Sequence, residues 1–371
     1  MRALDIGLDK NLFIDGSESQ KRMAQYGELL DSLDMLVLAK KGFQHKTIGG
    51  NVRVWPTGSL YKPGYFFDGL VLGRKLIAKN NIDVIIAQDP LFTGLIGFIL
   101  ARLSGKKLLV GVYGNNVYDP YWRNESLSRK FLAVLGGFIL RRADAIQVDG
   151  LETVEVLEKK FPGKVFWKPM VPPDLSSFGG RKEREEGAVN VIFIGRMVKQ
   201  KNIPMLAGVI EEVSKTVLNK KVNFTMVGDG PYAHYLSRRL AGRKVINVSY
   251  VRRSSRESLG QLLPAQDILI LTSRYEGFPR VFMEAAHLGI PIVTTNVSGA
   301  RNLIVDGESG FVVPQNNIKE FVSRLSALIS DNELRQMMSK KIKESFERNF
   351  PPGLTVTKQK AVFDYLKNIK R

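Results

Sequence analysis

The fold of this chain is decided by the segment SRYEGFPRVFME, which occupies Ser273–Glu284. The apolar run Asp267–Ser273 leads into this segment and is typical of a buried strand in a parallel sheet, so the residues after Ser273 are expected to form a loop. After Pro279 the apolar residues take a helical spacing, until Gly289 and Pro291 end the helix. This strand–loop–helix order predicts an open α/β sheet, which binds ligands at the carboxyl ends of its strands.

Two carboxylates lie eight positions apart in this segment. Glu276 is expected in the loop after the strand, and Glu284 about two turns into the helix. The amino end of such a helix offers N–H groups and partial positive charge to a phosphate. Carboxylates that accept hydrogen bonds from a sugar and a ribose beside that phosphate suit a nucleotide-sugar. Ordinary solvated glutamates are the alternative that the spacing alone leaves open.

The segment EGFPRVFMEA resembles the Glu-x7-Glu signature of the retaining glycosyltransferases of family 4, which have the GT-B fold. Other stretches resemble the same family in the same order. Val191–Asn202 resembles the strand and loop that open the donor domain, Val227–Pro231 the end of the next strand, and Ser298–Pro314 a helix and a hairpin. The resemblance covers about residues 190–315. It implies an α/β protein with two Rossmann-like, doubly wound parallel-sheet domains that face each other across a cleft.

Apolar runs alternate with helix-length segments along the whole chain, which predicts parallel sheets with helices on both faces. The segment Lys168–Gly180 is rich in proline and glycine and is interpreted as a linker. We therefore expect an acceptor-binding domain at residues 1–168 and a nucleotide-sugar donor-binding domain at residues 180–350. By the resemblance, a terminal helix at residues 354–371 crosses back to pack on the first domain.

The resemblance also implies the donor-site residues. Arg196 and Lys201 would neutralise the departing diphosphate, although their spacing alone fits two solvated loop cations. Glu276 would contact the hydroxyls of the donor sugar, and Glu284 would accept hydrogen bonds from the ribose. The other donor-binding positions are Gly195 at the strand exit, Gly228 in the next turn, Arg252 near the base, and the loop residues Gly277, Phe278 and Pro279.

The acceptor side carries a weaker signal. Asp15 and Gly16 follow the first strand and are expected to face the cleft. Many relatives carry a histidine in the loop after the fourth strand, whereas this chain has Tyr113, followed at a short distance by Asn115. A tyrosine can donate a hydrogen bond to a sugar hydroxyl but cannot replace an imidazole base. Retaining transfer can use the leaving phosphate oxygen as the base, so the departure affects the role of the histidine and not the reaction; local packing of Tyr113 is the alternative.

Composition excludes several kinds of site. The chain has 371 residues, enough for two domains, and it has no cysteine and three scattered histidines. Disulfides, zinc thiolate sites and cysteine nucleophiles are therefore excluded, and no histidine metal cluster is expected. We expect no cofactor, since the nucleotide-sugar is a substrate, and no metal, since no Asp-x-Asp pair lies beside the phosphate-binding cations.

The net charge of +19 favours polyanions or anionic membranes over neutral partners, unless the lysines are simply solvated. No apolar run reaches the ~18–20 residues that cross a bilayer, and the first residues lack the apolar core of a signal peptide, so a cytoplasmic location is expected. Leu91–Lys107 and Phe131–Arg142 are apolar helical segments that end in cations. They predict peripheral binding at the inner membrane face, with packing on the sheet as the alternative.

These patterns predict a retaining hexosyltransferase of cell-surface polysaccharide synthesis. It would move a hexose or N-acetylhexosamine from a UDP- or GDP-linked donor to a glycan or lipid-linked acceptor. Epimerases of the same architecture lack the EGFP-type loop, and phosphorylases need a pyridoxal lysine and a far longer chain. A Rossmann oxidoreductase would show G-x-G-x-x-G after the first strand. A nucleic-acid-binding protein, which the charge alone suggests, would show an RNA motif or a helix-turn-helix, so no nucleic acid is expected as a partner.

Overall fold

The chain forms two compact units. Residues Met1–Met170 and Pro352–Arg371 form the first unit, and Val171–Pro351 form the second. The domain limits expected from the sequence lie close to these divisions, while the acceptor and donor roles of the units remain predictions. The structure is a computed structural model that describes residues 1–114, 117–176, 178–179, 187–217, 220–242, 246–252 and 256–369.

An eight-stranded sheet forms the centre of the first unit. Its strands are β1 (Arg2–Gly7), β2 (Ser32–Val37), β3 (Lys46–Ile48), β4 (Val52–Pro56), β5 (Val84–Ala87), β6 (Lys107–Val112), β7 (Ala145–Val148) and β8 (Val165–Trp167). In space they follow the order β3-β4-β2-β1-β5-β6-β7-β8, and all neighbours are parallel except β3 and β4. The carboxyl ends of β1, β5, β6, β7 and β8, and the loops that follow them, therefore lie at one edge of the sheet.

Helices cover both faces of this sheet. They are α1 (Glu18–Gly27), α2 (Gly64–Asn80), α3 (Phe92–Ser104), α4 (Pro120–Arg123), α5 (Leu127–Arg142) and α6 (Leu151–Glu158), with a 3-10 turn at Lys10–Phe13. Side-chain caps fix where several begin: Ser17 accepts from the N–H of Gln20 at α1, and Ser126 from that of Arg129 at α5. Gly105, in the left-handed conformation, ends α3.

A six-stranded parallel sheet forms the second unit, in the order β11-β10-β9-β12-β13-β14. Its strands are β9 (Ala188–Ile194), β10 (Lys221–Val227), β11 (Ile246–Val251), β12 (Ile268–Leu271), β13 (Ile292–Thr295) and β14 (Gly310–Val313). Its helices are α7 (Ile203–Thr216), α8 (Ala233–Leu240), α9 (Arg256–Leu262), α10 (Arg280–His287), α11 (Ile318–Ser330) and α12 (Asn332–Asn349), with 3-10 turns at Lys199–Lys201 and Leu263–Ala265.

Each sheet has its own apolar core. Phe193, Phe224 and Phe321 lie fully buried in the second unit, between the sheet and α7 and α11. The last helix, α13 (Leu354–Asn368), contributes Val362 and Phe363 to the core of the first unit. Burial of this apolar surface is the main stabilising term and ties the end of the chain to the first sheet. Among the described helices, none is both long enough and apolar enough to span a bilayer.

Three local expectations from the sequence are wrong. Residues 298–314, all of them described, form turns and β14 instead of a helix and a hairpin, and β14 pairs in parallel with β13. Glu284 is the fifth residue of α10, little more than one turn from its start, because the helix begins only at Arg280. The edge strand β3 and its neighbour β4 were not predicted from the sequence, since their short, partly polar sequences lack a buried-strand pattern.

Candidate active site

The two motifs singled out in the sequence meet where the strand order of the second sheet reverses. β9 and β12 are neighbours, and the chain extends from β9 toward β11 on one side and from β12 toward β14 on the other. The loops after these two strands, residues 195–202 and 272–279, therefore diverge and leave a crevice between them, which is where open α/β sheets bind ligands.

An ion pair joins the two loops. Lys201 Nζ lies 2.6 Å from Glu276 Oε1, and the two side chains are only 13% and 11% exposed. Gln200 Nε2 donates to the other carboxylate oxygen at 3.3 Å and to the carbonyl of Tyr275 at 3.0 Å. Thr272 Oγ1 donates to the carbonyl of Lys201 at 2.9 Å. The hydrogen bonds that the Glu276 carboxylate accepts from Lys201 and Gln200 are charge-assisted and therefore strong, so the carboxylate is held in one orientation.

Two glycines allow the loops after β9 and β10 to approach this pair. A Cβ at Gly195 would lie 3.0 Å from Lys201 Cε, so the lysine stem passes directly over the backbone there. Gly228 has a φ of 137°, and a Cβ on it would lie 2.0 Å from the carbonyl oxygen of Gly195. No other residue fits at Gly228 without moving the strand ends. Gly195 and Gly228, two of the three predicted donor-binding glycines, thus mark a close backbone approach.

Two of the predicted donor-site cations are exposed. Arg196 directly follows Gly195, and Arg252 follows β11. Within the described part of the chain, no carboxylate forms an ion pair with either guanidinium. A guanidinium presents its donors in a planar fork that matches phosphate oxygens, so both side chains suit anionic groups of a ligand.

Aromatic packing fixes the loop between β12 and α10. Phe278 is buried and makes edge-to-face contacts with Phe350 and Phe282, at centroid distances of 5.5 and 6.4 Å. Gly299, at a φ of 87°, has no room for a side chain, because a Cβ would lie 2.9 Å from the carbonyl oxygen of Gly277. These contacts therefore fix the conformation of the loop that carries Glu276.

The start of α10 has the features expected of an anion site. Pro279 stands at the N-cap and makes no side-chain hydrogen bond to the first turn, which leaves the helix amino end without a side-chain cap. Glu284, one turn into the helix, is 8% exposed. It is not an ordinary solvated glutamate, which removes the alternative that its spacing alone left open.

Comparison with known proteins identifies the chemistry. Residues 180–345 match the family model of the glycosyl transferases of group 1. This match covers nearly all of the second unit. The chain is 25% identical over 289 residues to the UDP-Gal:alpha-D-GlcNAc-diphosphoundecaprenol alpha-1,3-galactosyltransferase of Escherichia coli, covering 74% of this chain and 73% of that protein. Enzymes of this group transfer a sugar from a nucleotide-sugar.

Solved structures agree in fold over nearly the whole chain. Sucrose-phosphate synthase from Thermosynechococcus elongatus superposes with a TM-score of 0.78 at 15% identity, covering 99% of both chains. HepE from Anabaena, in complex with UDP and glucose, superposes with a TM-score of 0.69 at 15% identity, covering all of both chains. The chain thus has the GT-B fold, as the sequence predicted.

The acceptor-side residues predicted from the sequence do not come together. Asp15 lies in the loop before α1, with its carboxylate 89% exposed and paired with Lys46 on β3, and the backbone at Gly16 faces open space. Tyr113 follows β6 and donates to Gln147 Oε1 at 2.9 Å. β3 and β6 are five strand spacings apart, roughly 24 Å. Asn115 lies outside the described residues.

Sequence reasoning missed two glutamines that support the candidate site. Gln200 holds Glu276, as described above. Gln315 Nε2 donates to the carbonyls of Ser273, Arg274 and Asn296 at 3.3, 3.1 and 3.0 Å, and so connects the ends of β12, β13 and β14. Amides that donate to main-chain carbonyls leave no periodic pattern in a sequence. The sole signal for Gln200 was its position directly before Lys201.

Proposed function

We propose that the transferase moves a hexose or N-acetylhexosamine from a UDP- or GDP-linked donor to a glycan or lipid-linked acceptor, with retention, in cell-surface polysaccharide synthesis. The observation that carries this proposal is the Lys201–Glu276 pair at the switch point of the second sheet. The Escherichia coli relative, by its name, uses UDP-galactose and a diphosphoundecaprenol-linked acceptor. HepE was solved with UDP and glucose.

The second unit is proposed to bind the donor. Arg196 and Lys201 would neutralise the diphosphate, and the amide groups of Gly277 and Phe278 at the start of α10 would donate to it. The buried Glu284 would accept from the ribose. In this arrangement the positive charge needed by the leaving group comes from side chains and a helix terminus, which supports a reaction without a metal ion. Arg252 and Gly228 would border the nucleoside.

Retaining transfer needs few proton-transferring groups from the protein. The bond between the anomeric carbon and the diphosphate oxygen breaks, and its electron pair leaves with the diphosphate. The acceptor hydroxyl oxygen attacks the same face of the sugar and passes its proton to a leaving phosphate oxygen. Glu276 would accept hydrogen bonds from the donor sugar as positive charge develops on the ring. Its fixed orientation, set by Lys201 and Gln200, suits stabilisation of a transition state without reorganisation.

A donor screen tests the proposal. UDP- and GDP-linked glucose, galactose, N-acetylglucosamine and mannose are incubated with the protein, and release of UDP or GDP is measured. One donor family should be turned over, and proton NMR of the fresh product should show the anomeric configuration of the donor. Release of neither nucleotide, or a product with inverted configuration, would contradict the proposal.

We also propose that the transferase works at the inner membrane face, bound peripherally through one face of the first unit. Along α5, the side chains of Leu127, Phe131, Val134 and Phe138 repeat at a spacing of four, three and four residues and are 82, 72, 69 and 43% exposed. This spacing puts them on one side of the helix. A row of exposed apolar side chains on a helix surface is typical of an interaction site.

Charge complements this row. α2, α3 and α5 contact one another in the order α2–α3–α5, and they contain eight cations and one acid, Asp68. On α2 the exposed Phe67 and Val71 are followed by the exposed Arg74 and Lys75. Apolar side chains that enter the headgroup region, with cations beside them, fit an anionic lipid surface.

Vesicle sedimentation tests the membrane proposal. Vesicles of phosphatidylcholine alone are compared with vesicles that contain about one third phosphatidylglycerol. The protein should sediment with the anionic vesicles and be released by salt, because ions screen surface charge. The double variant Phe131→Ser, Val134→Ser should bind the anionic vesicles at least about tenfold more weakly than the native protein. Met337→Ser, a similarly exposed apolar residue on α12 of the second unit, is the matched control. Equal binding of the double variant would contradict the proposal.

A further inference from the structure

A cluster of polar side chains lies at the carboxyl edge of the first sheet, far along the chain from the donor motifs. Asp5 is in β1, Asp149 follows β7 and Lys168 follows β8. Lys168 Nζ lies 4.3 Å from the ring centre of Tyr26 on α1 and 5.8 Å from that of Tyr113. Both carboxylates act electrostatically on the lysine. This cluster therefore includes two carboxylates, the lysine cation and two aromatic rings.

Two glycines make room for side chains that lie over the strands at this edge. A Cβ at Gly7 would lie 2.4 Å from Gln88 Oε1, and a Cβ at Gly111 would lie 2.4 Å from the ring of Tyr113. The side chain of Gln88 lies near Asp5 and lowers the pKa of its carboxyl group, against the larger effect of burial. With a larger residue at either glycine, these side chains would have to leave the sheet. Gly7 and Gly111 therefore allow Gln88 and Tyr113 to lie over the strands at this edge.

The cluster contains a hydrogen-bond acceptor and a hydrogen-bond donor that are not paired with each other or with another charged group in the described structure. Asp5 is 8% exposed, and its Oδ1 atom has no hydrogen-bond partner within the described residues. In that same part of the chain, Lys168 Nζ contacts ring faces in place of a carboxylate. A buried carboxylate oxygen without a partner destabilises the folded state, so it is retained at a cost in stability. Functional sites commonly carry such groups.

We propose that this cluster is the subsite for the acceptor sugar, in which one hydroxyl donates to Asp5 Oδ1 and accepts from the Lys168 ammonium. The proposal rests on the transferase function proposed above. A hydroxyl both donates and accepts, and so satisfies the two groups at once. Asp5 and Asp149 are balanced by the positive charges of Lys168 and Arg22, so the cluster has no excess of cations that would favour an anionic acceptor group. The rings of Tyr26 and Tyr113 offer apolar surface to the C–H face of a sugar.

A purely structural role makes the opposite prediction for stability. If the cluster served to hold the unit together, loss of Asp5 would lower the melting temperature. If it is kept for a ligand, the isosteric change Asp5→Asn should remove a buried charge, keep or raise the melting temperature, and weaken sugar binding. The two measurements together therefore separate a binding residue from a structural one.

Saturation-transfer NMR with simple glycosides tests the subsite on the full chain. The probes are methyl α-D-glucopyranoside, methyl α-D-galactopyranoside and methyl N-acetyl-α-D-glucosaminide. At least one should bind to the native protein, and Asp5→Asn and Lys168→Met should each weaken it about tenfold, as expected for a lost hydrogen bond to a charged group. The matched controls in the same unit are Asp364→Asn, whose side chain is half exposed, and Lys62→Met, which is exposed; both should stay within about twofold of native.

Hydrogen exchange of the native protein covers the case in which a variant does not fold. The bound glycoside should slow exchange of backbone amides around Asp5 and Asp149. No glycoside binding to the native protein, no such protection, or full affinity in both variants would overturn the subsite. UDP and GDP binding, measured on the same native sample, reports on the donor function separately. Failure to bind either nucleotide refutes that function, whereas nucleotide binding without glycoside binding refutes the subsite alone.

Discussion

The carboxyl edges of the two sheets use the same residue types in opposite ways. In the second unit Lys201 and Glu276 form a 2.6 Å ion pair, and Gln200 holds the remaining carboxylate oxygen. In the first unit Lys168 rests on tyrosine rings, and Asp5 keeps a buried oxygen that has no partner in the described chain. The first arrangement is complete in itself and holds a carboxylate rigid. The second is incomplete, and a ligand hydroxyl would complete it.

Electrostatics express the same difference. Burial raises the pKa of Asp5 from 3.8 to about 6, against the hydrogen bond from Gln88 and the positive charges of Lys168 and Arg22. Burial likewise raises the pKa of Asp149 to about 7 and lowers that of Lys168 to about 7, and the opposite charges across the cluster only partly offset it. Desolvation thus brings the pKa values of three groups at one edge near neutrality.

The largest expected effect comes from breaking the complete pair. Glu276→Gln keeps the shape but removes the charge that would stabilise the sugar in the transition state. We expect kcat to fall by about 10³-fold, while nucleotide affinity changes little, because the loss appears only in the transition state. Initial rates and UDP or GDP titration measure the two quantities. Glu333→Gln, an exposed glutamate on α12, is the matched control.

A smaller loss is expected from the cations. Arg196→Ala should lower kcat by about 10²-fold, the scale of one lost electrostatic stabiliser. Lys201→Ala should cost more than Arg196→Ala, because it also frees Glu276 from its 2.6 Å partner. Since these cations would neutralise the diphosphate, activity should persist in EDTA. An equal effect of the two substitutions, or an absolute need for Mg²⁺ or Mn²⁺, would count against this account of the pair.

The smallest effect concerns stability and pH in the first unit. The pKa of Asp5 is higher in the folded chain, about 6 against 3.8, so the folded state binds protons more tightly and stability falls as pH rises between these values. Above pH 6 the penalty is on the order of 3 kcal/mol. Asp5→Asn should therefore raise the melting temperature by a few degrees at pH 8 and leave it nearly unchanged at pH 4.

The same reasoning gives Lys168 the opposite dependence, which serves as an internal check. Its pKa falls from 10.5 to about 7 on folding, so its penalty is fully present below pH 7 and is relieved as pH rises toward 10.5. Calorimetry of Lys168→Met should show a stability gain at pH 6 that shrinks by pH 10. A melting temperature that falls in Asp5→Asn at pH 8 would show that the cluster is structural.

How much the sequence could predict differs between the two edges for a physical reason. In the second unit the strands β9 and β12, the glycines and Glu276 lie in short motifs, because a strand, its loop and the next helix are contiguous. Asp5, Asp149 and Lys168 come from three strands far apart in the chain, and no local spacing connects them. A carboxylate inside the apolar strand RALDIG was the one visible sign.

The local sequence pattern also could not predict which of the two apolar helices exposes its apolar side chains. The sequence predicted Leu91–Lys107 and Phe131–Arg142 as similar interfacial segments. In the structure α3 lies between α2 and α5 and buries most of its length, whereas α5 is the outer helix and exposes a full row of apolar side chains. The order of helices within a layer decides this, and it follows from tertiary packing instead of from either segment alone.

Hydrogen–deuterium exchange with UDP and with GDP tests the central claim most directly, namely that the second unit binds the donor at the end of β9 and β12. One of the two nucleotides should slow exchange most strongly in three places. These are residues 195–202, which carry Lys201, the loop 272–279, which carries Glu276, and the uncapped start of α10. Strongest protection at the edge of the first sheet, around Asp5 and Asp149, or no protection by either nucleotide, would contradict the account.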